Sequence, residues 1–415
     1  MRQTSRQIDA LLGKKRVHPF PARMAASIPF AELMQHRRQL SVLDPMAGSG
    51  TTLAVARKLG HQAYGFDSDP LAVLISRVGC NELDARKTQA LAEGVLAHAK
   101  ELYKEIPASK AYPLGADDET RAFVRFWFDS TNRRQLVALV RAIDELTDSA
   151  SKRVFKCAVS RMIVVKSVGA SRAMDAAHSR PRRVYRIGPV KPLSHFLPSV
   201  KRVISSIPFE RGEELPPATV KRGDARRLPL KSRSIDLVIT SPPYLNAIDY
   251  LRGHRLSLVW FGYSLAKLRR MRARAVGSER SMERHLPNEL LRKFNALVMA
   301  PRNRGMIERY AMDLRSVLRD CERVLKQNGR MIVVVADSRI EGHRVGTANA
   351  LACLAKDVGL SVVGTRSRKI PLDRRYLPPP SGNSHNSLGK RMRSETILEL
   401  TKTAKLNAVR SASSV

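Results

Sequence analysis

Residues 41–67 read SVLDPMAGSGTTLAVARKLGHQAYGFD. A short apolar run, Ser41-Val42-Leu43, leads into a glycine-rich turn. Thr51 to Leu59 has the spacing of a helix, and Gly60 just beyond it is a helix stop. Gln62 to Phe66 reads as a second strand that ends at Asp67. Strand, turn, helix and strand in so short a span predict a βαβ unit. Gly48 and Gly50, one residue apart, allow a tight turn and a close backbone approach to a ligand. The helix start behind them presents amide donors to a carboxylate or phosphate. Asp67, at the end of the next strand, stands where an acid can bind both hydroxyls of a ribose. The same residues also suit a plain βα turn whose Ser or Thr caps the helix. A nicotinamide fingerprint fails in detail, because Leu53 replaces the third glycine of G-x-G-x-x-G.

Outward from this core the chain changes character. Residues 1–40 are polar and mixed and hold the segment HPFPARM at 18–24. Helical periodicity begins near Leu71 and continues to Pro217, clearest over 83–104 and 119–147. Residues 151–190 carry ten Lys/Arg and one acid, Asp175, which reads as a solvated face or a phosphate-contacting loop. Strand patterns return at Ala218 to Lys221 and Ile235 to Thr240. A basic helical stretch over 263–325 follows, then a strand from Arg330 to Ala336. Helix 347–358, strands 360–364 and 395–401, and a loop at 378–393 complete the chain. These elements predict an α/β fold with a Rossmann-like sheet and a large helical insertion between its second and third strands. The expected organisation is a cofactor-binding half at 1–75, a basic helical insertion at 76–215 for target recognition, and a catalytic half at 216–405.

A second motif, Asp236-Leu237-Val238-Ile239-Thr240-Ser241-Pro242-Pro243-Tyr244, runs a strand into two prolines and an aromatic. Two prolines cannot continue a central strand, so the chain turns at the sheet edge where open α/β sheets bind ligands. The Ser241 hydroxyl and the Pro242 carbonyl can accept the two hydrogens of a planar amino group while Tyr244 stacks on its ring. Asp224, in Arg222-Gly223-Asp224, ends the preceding strand on that edge; alone it reads more readily as a surface turn.

DPMAGSGTT followed downstream by TSPPY resembles the amino-directed DNA methyltransferases, which modify cytosine N4 or adenine N6. HPFPARM is similar to a segment that helps enclose the methionine part of that family's cofactor. The resemblance implies a class I methyltransferase sheet and S-adenosylmethionine as methyl donor. It assigns Asp44, Met46, Gly48, Gly50, Asp67 and Asp224 to the cofactor. Ser241, Pro242, Pro243 and Tyr244 fall to the target base, with direct transfer to a flipped-out amine. Two departures stand out: Met46 sits where the family has Phe, and the cofactor motif precedes the catalytic one. Ser at the first position of the tetrapeptide favours cytosine N4. Adenine N6 and RNA amino-methylation are the alternatives, and a non-enzymatic basic DNA-binding protein on the same fold is the reading from a different class.

Composition agrees with a polyanion partner. The 415 residues hold 74 Lys+Arg against 37 Asp+Glu, a net charge of +37. The N-terminal sequence has no apolar core of the length a secretory signal needs, and no run approaches a membrane span. The expected setting is the cytoplasm, associated with the nucleoid, with DNA as partner and a cognate restriction endonuclease in the same system. Four Cys without a CxxC pair exclude a disulfide scaffold, and no Pro-Cys pair supports a thiolate nucleophile for cytosine C5. No metal site is expected; the histidines, His18, His254 and His385 among them, are assigned to surface or hydrogen-bonding roles. The recognition surface is sought in 151–186, 252–284 and 378–393.

Overall fold

The computed structural model describes the chain except for residues 1, 14, 22, 246–248, 278–286, 341–342, 371–392 and 403–415. The expected loop at 378–393, with His385, therefore lies outside the described residues save for Arg393, as does the end of the basic stretch 252–284. Two compact units are formed, Met1–Ala225 with Asn246–Met282, and Arg226–Leu245 with Glu283–Val415.

The first unit is built on three parallel strands, β1 (Ser41–Asp44), β2 (Gln62–Asp67) and β3 (Ala218–Arg222). β2 lies between the other two, with Ser41 opposite Gln62 and Asp67 opposite Arg222. Helix Thr51–Lys58 crosses from β1 to β2, and Gly60 closes it at φ +80°. The crossing is very close: a Cβ on Gly65 of β2 would lie 2.3 Å from Leu53 Cδ1. Asp44, Asp67 and Asp224 all stand at or just past the C-terminal ends of the three strands, the side where such sheets bind ligands.

Between β2 and β3 the chain is helical, as the periodicity predicts. Helices Pro70–Cys80, Ala85–Glu105, Asp118–Trp127, Ser130–Asp144 and Ser149–Ile163 follow one another. Each is started by an aspartate, Asp69, Asp84, Asp117, Asp129 and Asp148, whose side chain accepts a first-turn amide. These caps correct two readings. The helical run expected over 119–147 is two helices, because the backbone is extended at Asp129 and its carboxylate caps the second one. The basic segment 151–190 is no continuous loop: its first third is helix Ser149–Ile163, with Val154, Phe155 and Ile163 in the core. Phe155 meets Phe196 of helix Pro192–Ile204 edge to face at 5.6 Å, and Phe128 meets Trp260 at 5.1 Å.

The second unit is a four-stranded sheet of β4 (Ile235–Thr240), β5 (Leu325–Val335), β6 (Leu360–Lys369) and β7 (Ser394–Lys402), in the order β6–β7–β5–β4. β4 and β5 are parallel, and the last strand, β7, runs antiparallel to both its neighbours. β6 extends well past the expected end at residue 364. Its polar outer half, up to Lys369, is held by pairing with β7 as far as Ser394, a long-range constraint that strand propensity does not register.

Asp129 serves two structures at once, since Oδ1 caps its helix and Oδ2 accepts from Gly188 N at 2.8 Å. Asp129→Ala is expected to lower the unfolding free energy by about 2 kcal/mol, a lost cap plus an orphaned buried amide. Urea unfolding checks this; Asp84→Ala, which removes an exposed cap, should cost clearly less.

Candidate active site

Asp67 organises the turn after β1. One carboxylate oxygen accepts from Gly48 N at 2.8 Å and the other from Asp69 N at 2.9 Å. Gly48 and Gly50 sit at φ +51° and +78°, backbone states that favour glycine. A Cβ on Gly50 would come within 3.1 Å of Ser76, whose hydroxyl donates to Gly48 O at 2.8 Å. The glycine amides are thus spent inside the protein: Gly48 N on Asp67 and Gly50 N on Ala47 O. Their part in the turn is conformational, as the glycine spacing suggests. Asp44 is buried and accepts from Met46 N at 3.2 Å. Gly223 N donates to Asp67 O at 3.0 Å, which sets Asp224, exposed, directly beside Asp67. The structure therefore brings Asp44, Met46, Gly48, Gly50, Asp67 and Asp224 together on one strand edge.

The carboxyl of Asp67 is raised to about 7, first by burial and then by the neighbouring charge of Asp69; the two amide bonds only partly offset this. Asp69 in turn meets His254 Nδ1 at 2.5 Å, with the ring fully buried. His254 and Tyr250 lie against Phe20, at 5.3 and 5.5 Å between ring centroids, and a Cβ on Gly48 would meet that Phe20 ring at 3.4 Å. Phe20 is the aromatic of HPFPARM, so this segment does flank the turn. It is held there by His18, which bonds Ser160 Oγ at 3.0 Å, and by Arg161, which donates to Val17 O at 2.8 Å. His18 and His254 are both fully buried and take hydrogen-bonding rather than surface roles, each ring holding one polar partner. Sequence reasoning passed over Asp69 and Tyr250; the one available signal was Asp69-Pro70, a helix start directly after Asp67.

In the second unit, β4 ends at Thr240 and the chain enters Ser241-Pro242-Pro243-Tyr244. Tyr310, deep in helix Pro301–Val324, donates its hydroxyl to Pro243 O at 2.9 Å and anchors the turn. Burial raises its phenol well above the ordinary value, so it remains a donor. The Ser241 hydroxyl is directed at Tyr244 Oη, 3.4 Å away, and Tyr244 donates to Glu395 Oε1 at 3.1 Å. Arg368 holds the other Glu395 oxygen at 2.7 Å. Glu395 and Arg368 come from β7 and β6, far along the chain, and nothing in their local sequence marks them.

Other chemistries find little support. The Cys80 and Cys157 thiols are buried and pushed up to about 12, so neither is a thiolate at neutral pH. Among the described residues no group of three or more His, Cys, Asp or Glu is placed to hold a metal ion. No described helix is long and apolar enough to cross a membrane.

No protein-family model matches the chain. The Type II methyltransferase M.MvaI of Kocuria varians is 24% identical over 93% of this chain and 90% of its own length. M.MjaII, a Type II methyltransferase of Methanocaldococcus jannaschii, is 21% identical over 78% of this chain and 72% of its own. The chain is thus similar to Type II methyltransferases along most of its length. M.BsoBI of Geobacillus stearothermophilus, another Type II methyltransferase, matches 56% of this chain at 23% identity and 49% of its own length. A solved protein of Pyrococcus horikoshii OT3, PH0226, aligns over 90% of this chain and 87% of its own at 9% identity, with a TM-score of 0.30. The residues present fit the methyltransferase cofactor, S-adenosylmethionine. Two glycines at positive φ keep the turn free of side chains, and Asp67 has two amides on about four lone-pair sites, so acceptor capacity remains for ribose hydroxyls.

The raised carboxyl of Asp67 has a stability consequence. Its folded-state value of about 7 lies above the ordinary carboxylate value, so the protonated form is favoured on folding. The stabilisation is complete below the unfolded value and is lost as pH rises toward and through about 7. Carbon NMR of the Asp67 carboxyl in ligand-free protein should show a midpoint near 7, and Asp69→Asn should move it down by removing the like charge.

Proposed function

We propose that this methyltransferase moves a methyl group from S-adenosylmethionine to the exocyclic amine of a base in DNA, with cytosine N4 as the target. The observation that carries the reading is the relay from Ser241 through Tyr244 to Glu395. An exocyclic amine is a poor nucleophile because its lone pair is delocalised into the ring. Accepting hydrogen bonds from its N–H groups favours a pyramidal nitrogen and frees that lone pair. A hydroxyl can serve only if its own hydrogen is directed elsewhere, and Tyr244 Oη, 3.4 Å from Ser241 Oγ, offers that hydrogen a destination. Ser241 Oγ and the Pro242 carbonyl then act as acceptors for the amine, on a turn that the two prolines and Tyr310 make rigid. Tyr244 supplies a face for the flipped base, worth about 1–3 kcal/mol by stacking.

In the same reading Gly48 and Gly50 shape the cofactor turn, with Asp44 and Met46 at its start. Asp67 takes the ribose hydroxyls and Asp224 the adenine amino group. When bound, the cofactor supplies an electrophilic methyl carbon, and the chain's task is orientation and exclusion of water. Ser241 Oγ and the Pro242 carbonyl would hold the amine toward that carbon, and the proton the amine loses would pass to solvent. Serine at the head of the tetrapeptide supports cytosine over adenine. The net charge of +37 supports a nucleic-acid substrate over a protein one. Residues 76–215 would supply target recognition, and the relatives' Type II naming supports a place beside a cognate restriction endonuclease on chromosomal DNA.

The direct test incubates the purified protein with tritiated S-adenosylmethionine and duplex DNA, followed by nucleoside digestion and mass spectrometry. Label in N4-methylcytosine is the expected result. Label in N6-methyladenine moves the target, and no label in DNA overturns the reading.

Ser241→Ala should lower turnover on the order of 10²-fold, the scale of losing one preorganised hydrogen-bonding group at a reacting centre. Glu395→Ala should lower it about 10-fold with cofactor affinity unchanged, and Glu395→Gln, which still accepts from Tyr244, should recover much of the loss. Steady-state kinetics with calorimetry of cofactor binding separates these effects.

Ribose hydroxyls donate to the ionised form of Asp67. Cofactor affinity should therefore rise between pH 6 and 8, with proton uptake absent and proton release greatest below about 7. Calorimetry in buffers of different ionisation enthalpy reads this directly; Asp67→Asn should bind weakly with a flat profile.

A further inference from the structure

A hairpin in the first unit is built with more care than its surface role as a basic segment would require. Ala173–Met174 pairs antiparallel with Arg182–Arg183. Its base is locked by Asn132, whose Nδ2 donates to Ala170 O at 2.8 Å and Val190 O at 3.0 Å, and by the Asp129–Gly188 bond. A Cβ on Gly188 would fall 2.4 Å from Ala170 O, so the two legs touch backbone to backbone. At the turn, Asp175 and Ser179 both hold positive φ, 65° and 57°, and the Asp175 carboxylate is engaged by His178 at 2.6 Å.

What this rigid base displays is arginine and exposed aliphatic side chains. Arg182, Arg183 and Arg186 are exposed, and Val184 and Ile187 beside them are 53% and 55% exposed. Arg183 lies over the ring of Phe126 at 4.8 Å, and that ring is itself 47% exposed. Segment 172–187 holds five arginines and one acid, Asp175, which the histidine occupies. The hairpin also borders the cofactor turn through one shared helix. Ser179 Oγ donates to Tyr250 O at 3.2 Å, and Gly253 packs so closely that a Cβ would meet Ala176 O at 2.2 Å. The same helix, Tyr250–Leu258, presents Tyr250 and His254 to Phe20 beside Gly48.

Resting on the proposed DNA substrate, we propose that hairpin 172–187 is the duplex-contacting element of this unit. Arg182 and Arg183 neutralise backbone phosphates, and Val184 and Ile187 press their apolar surface into the groove. The reasoning is charge complementarity joined to rigidity. A cluster of arginines binds any polyanion, but exposed β-branched residues held at fixed positions among them suit a duplex, where apolar side chains lean on base steps. Placement on the helix that walls the cofactor turn sets the contact beside that turn.

The test is equilibrium binding of the full-length protein to a random-sequence duplex of about 30 base pairs, at several KCl concentrations, by fluorescence anisotropy. Arg182→Ala with Arg183→Ala should flatten the slope of log Kd against log [KCl] by about 1.8, two phosphates at roughly 0.9 each. Val184→Ser with Ile187→Ser should weaken binding severalfold at every salt concentration while leaving the slope unchanged. Both variants should bind S-adenosylmethionine as the wild type does, which guards against misfolding. Wild-type slope and affinity in both variants overturn the proposal. Tighter binding of an A-form RNA duplex than of DNA, lost in the same variants, overturns the choice of partner. Failure of the wild type to bind duplex DNA even at low salt would instead sink the proposed function.

Discussion

The constraint on which the first unit depends is the double hydrogen bond of Asp67. One carboxylate joins the amide of Gly48, in the turn after β1, to the amide of Asp69, which starts the next helix. The turn, the end of β2 and the helix N-terminus are thereby fixed to one another. Asp69 continues the chain of contacts to His254, His254 to Phe20, and Phe20 to Gly48. These contacts form a closed ring, so moving any member strains the rest. Its cost is two carboxyls held close in a buried place, and the raised value of Asp67 is where that cost is visible. A cofactor that offers hydroxyl donors to Asp67 would relieve it. A strained group at a binding site is common for this reason: the ligand completes what the protein alone leaves unfavourable.

The helical region between β2 and β3 uses a different device. Five successive helices begin with aspartate caps, each accepting an amide two or three residues on. Local starts of this kind let a strongly basic sequence fold into a packed bundle. The core is apolar, through Phe155, Phe196, Phe128 and Trp260, and apart from buried Arg133 the arginines of this region are partly or fully exposed. Where surface arginine is anchored as rigidly as at 172–187, its position becomes information, which a freely solvated face cannot provide.

In the second unit the role proposed for a side chain rests on where its hydrogen goes. Ser241 alone is an ambiguous hydroxyl, donor and acceptor together. Tyr244, held by Glu395, gives its hydrogen a destination, and Arg368 keeps Glu395 in place. A salt-bridged pair on two antiparallel strands thus determines the polarity of a serine at the end of a parallel one.

The βα turn, its flanking strands and the SPPY turn were legible in the sequence because their causes are local. Glycine spacing, paired prolines and apolar runs act over a few residues, and β1, β2 and β4 stand where these signals put them. The same holds for Asp67 and Asp224, each read as an acid at a strand end. Only the tertiary structure decided the break at Asp129, the reach of β6 and the burial of His18 and His254. It alone decided the attachment of Glu395 to Tyr244. Each of these depends on a partner far along the chain, Gly188 for Asp129, Ser160 for His18, Asp69 for His254 and β7 for β6. A residue's neighbours in sequence carry no record of such partners, because long-range pairing is chosen by the packing of whole elements and not by the preferences of single residues.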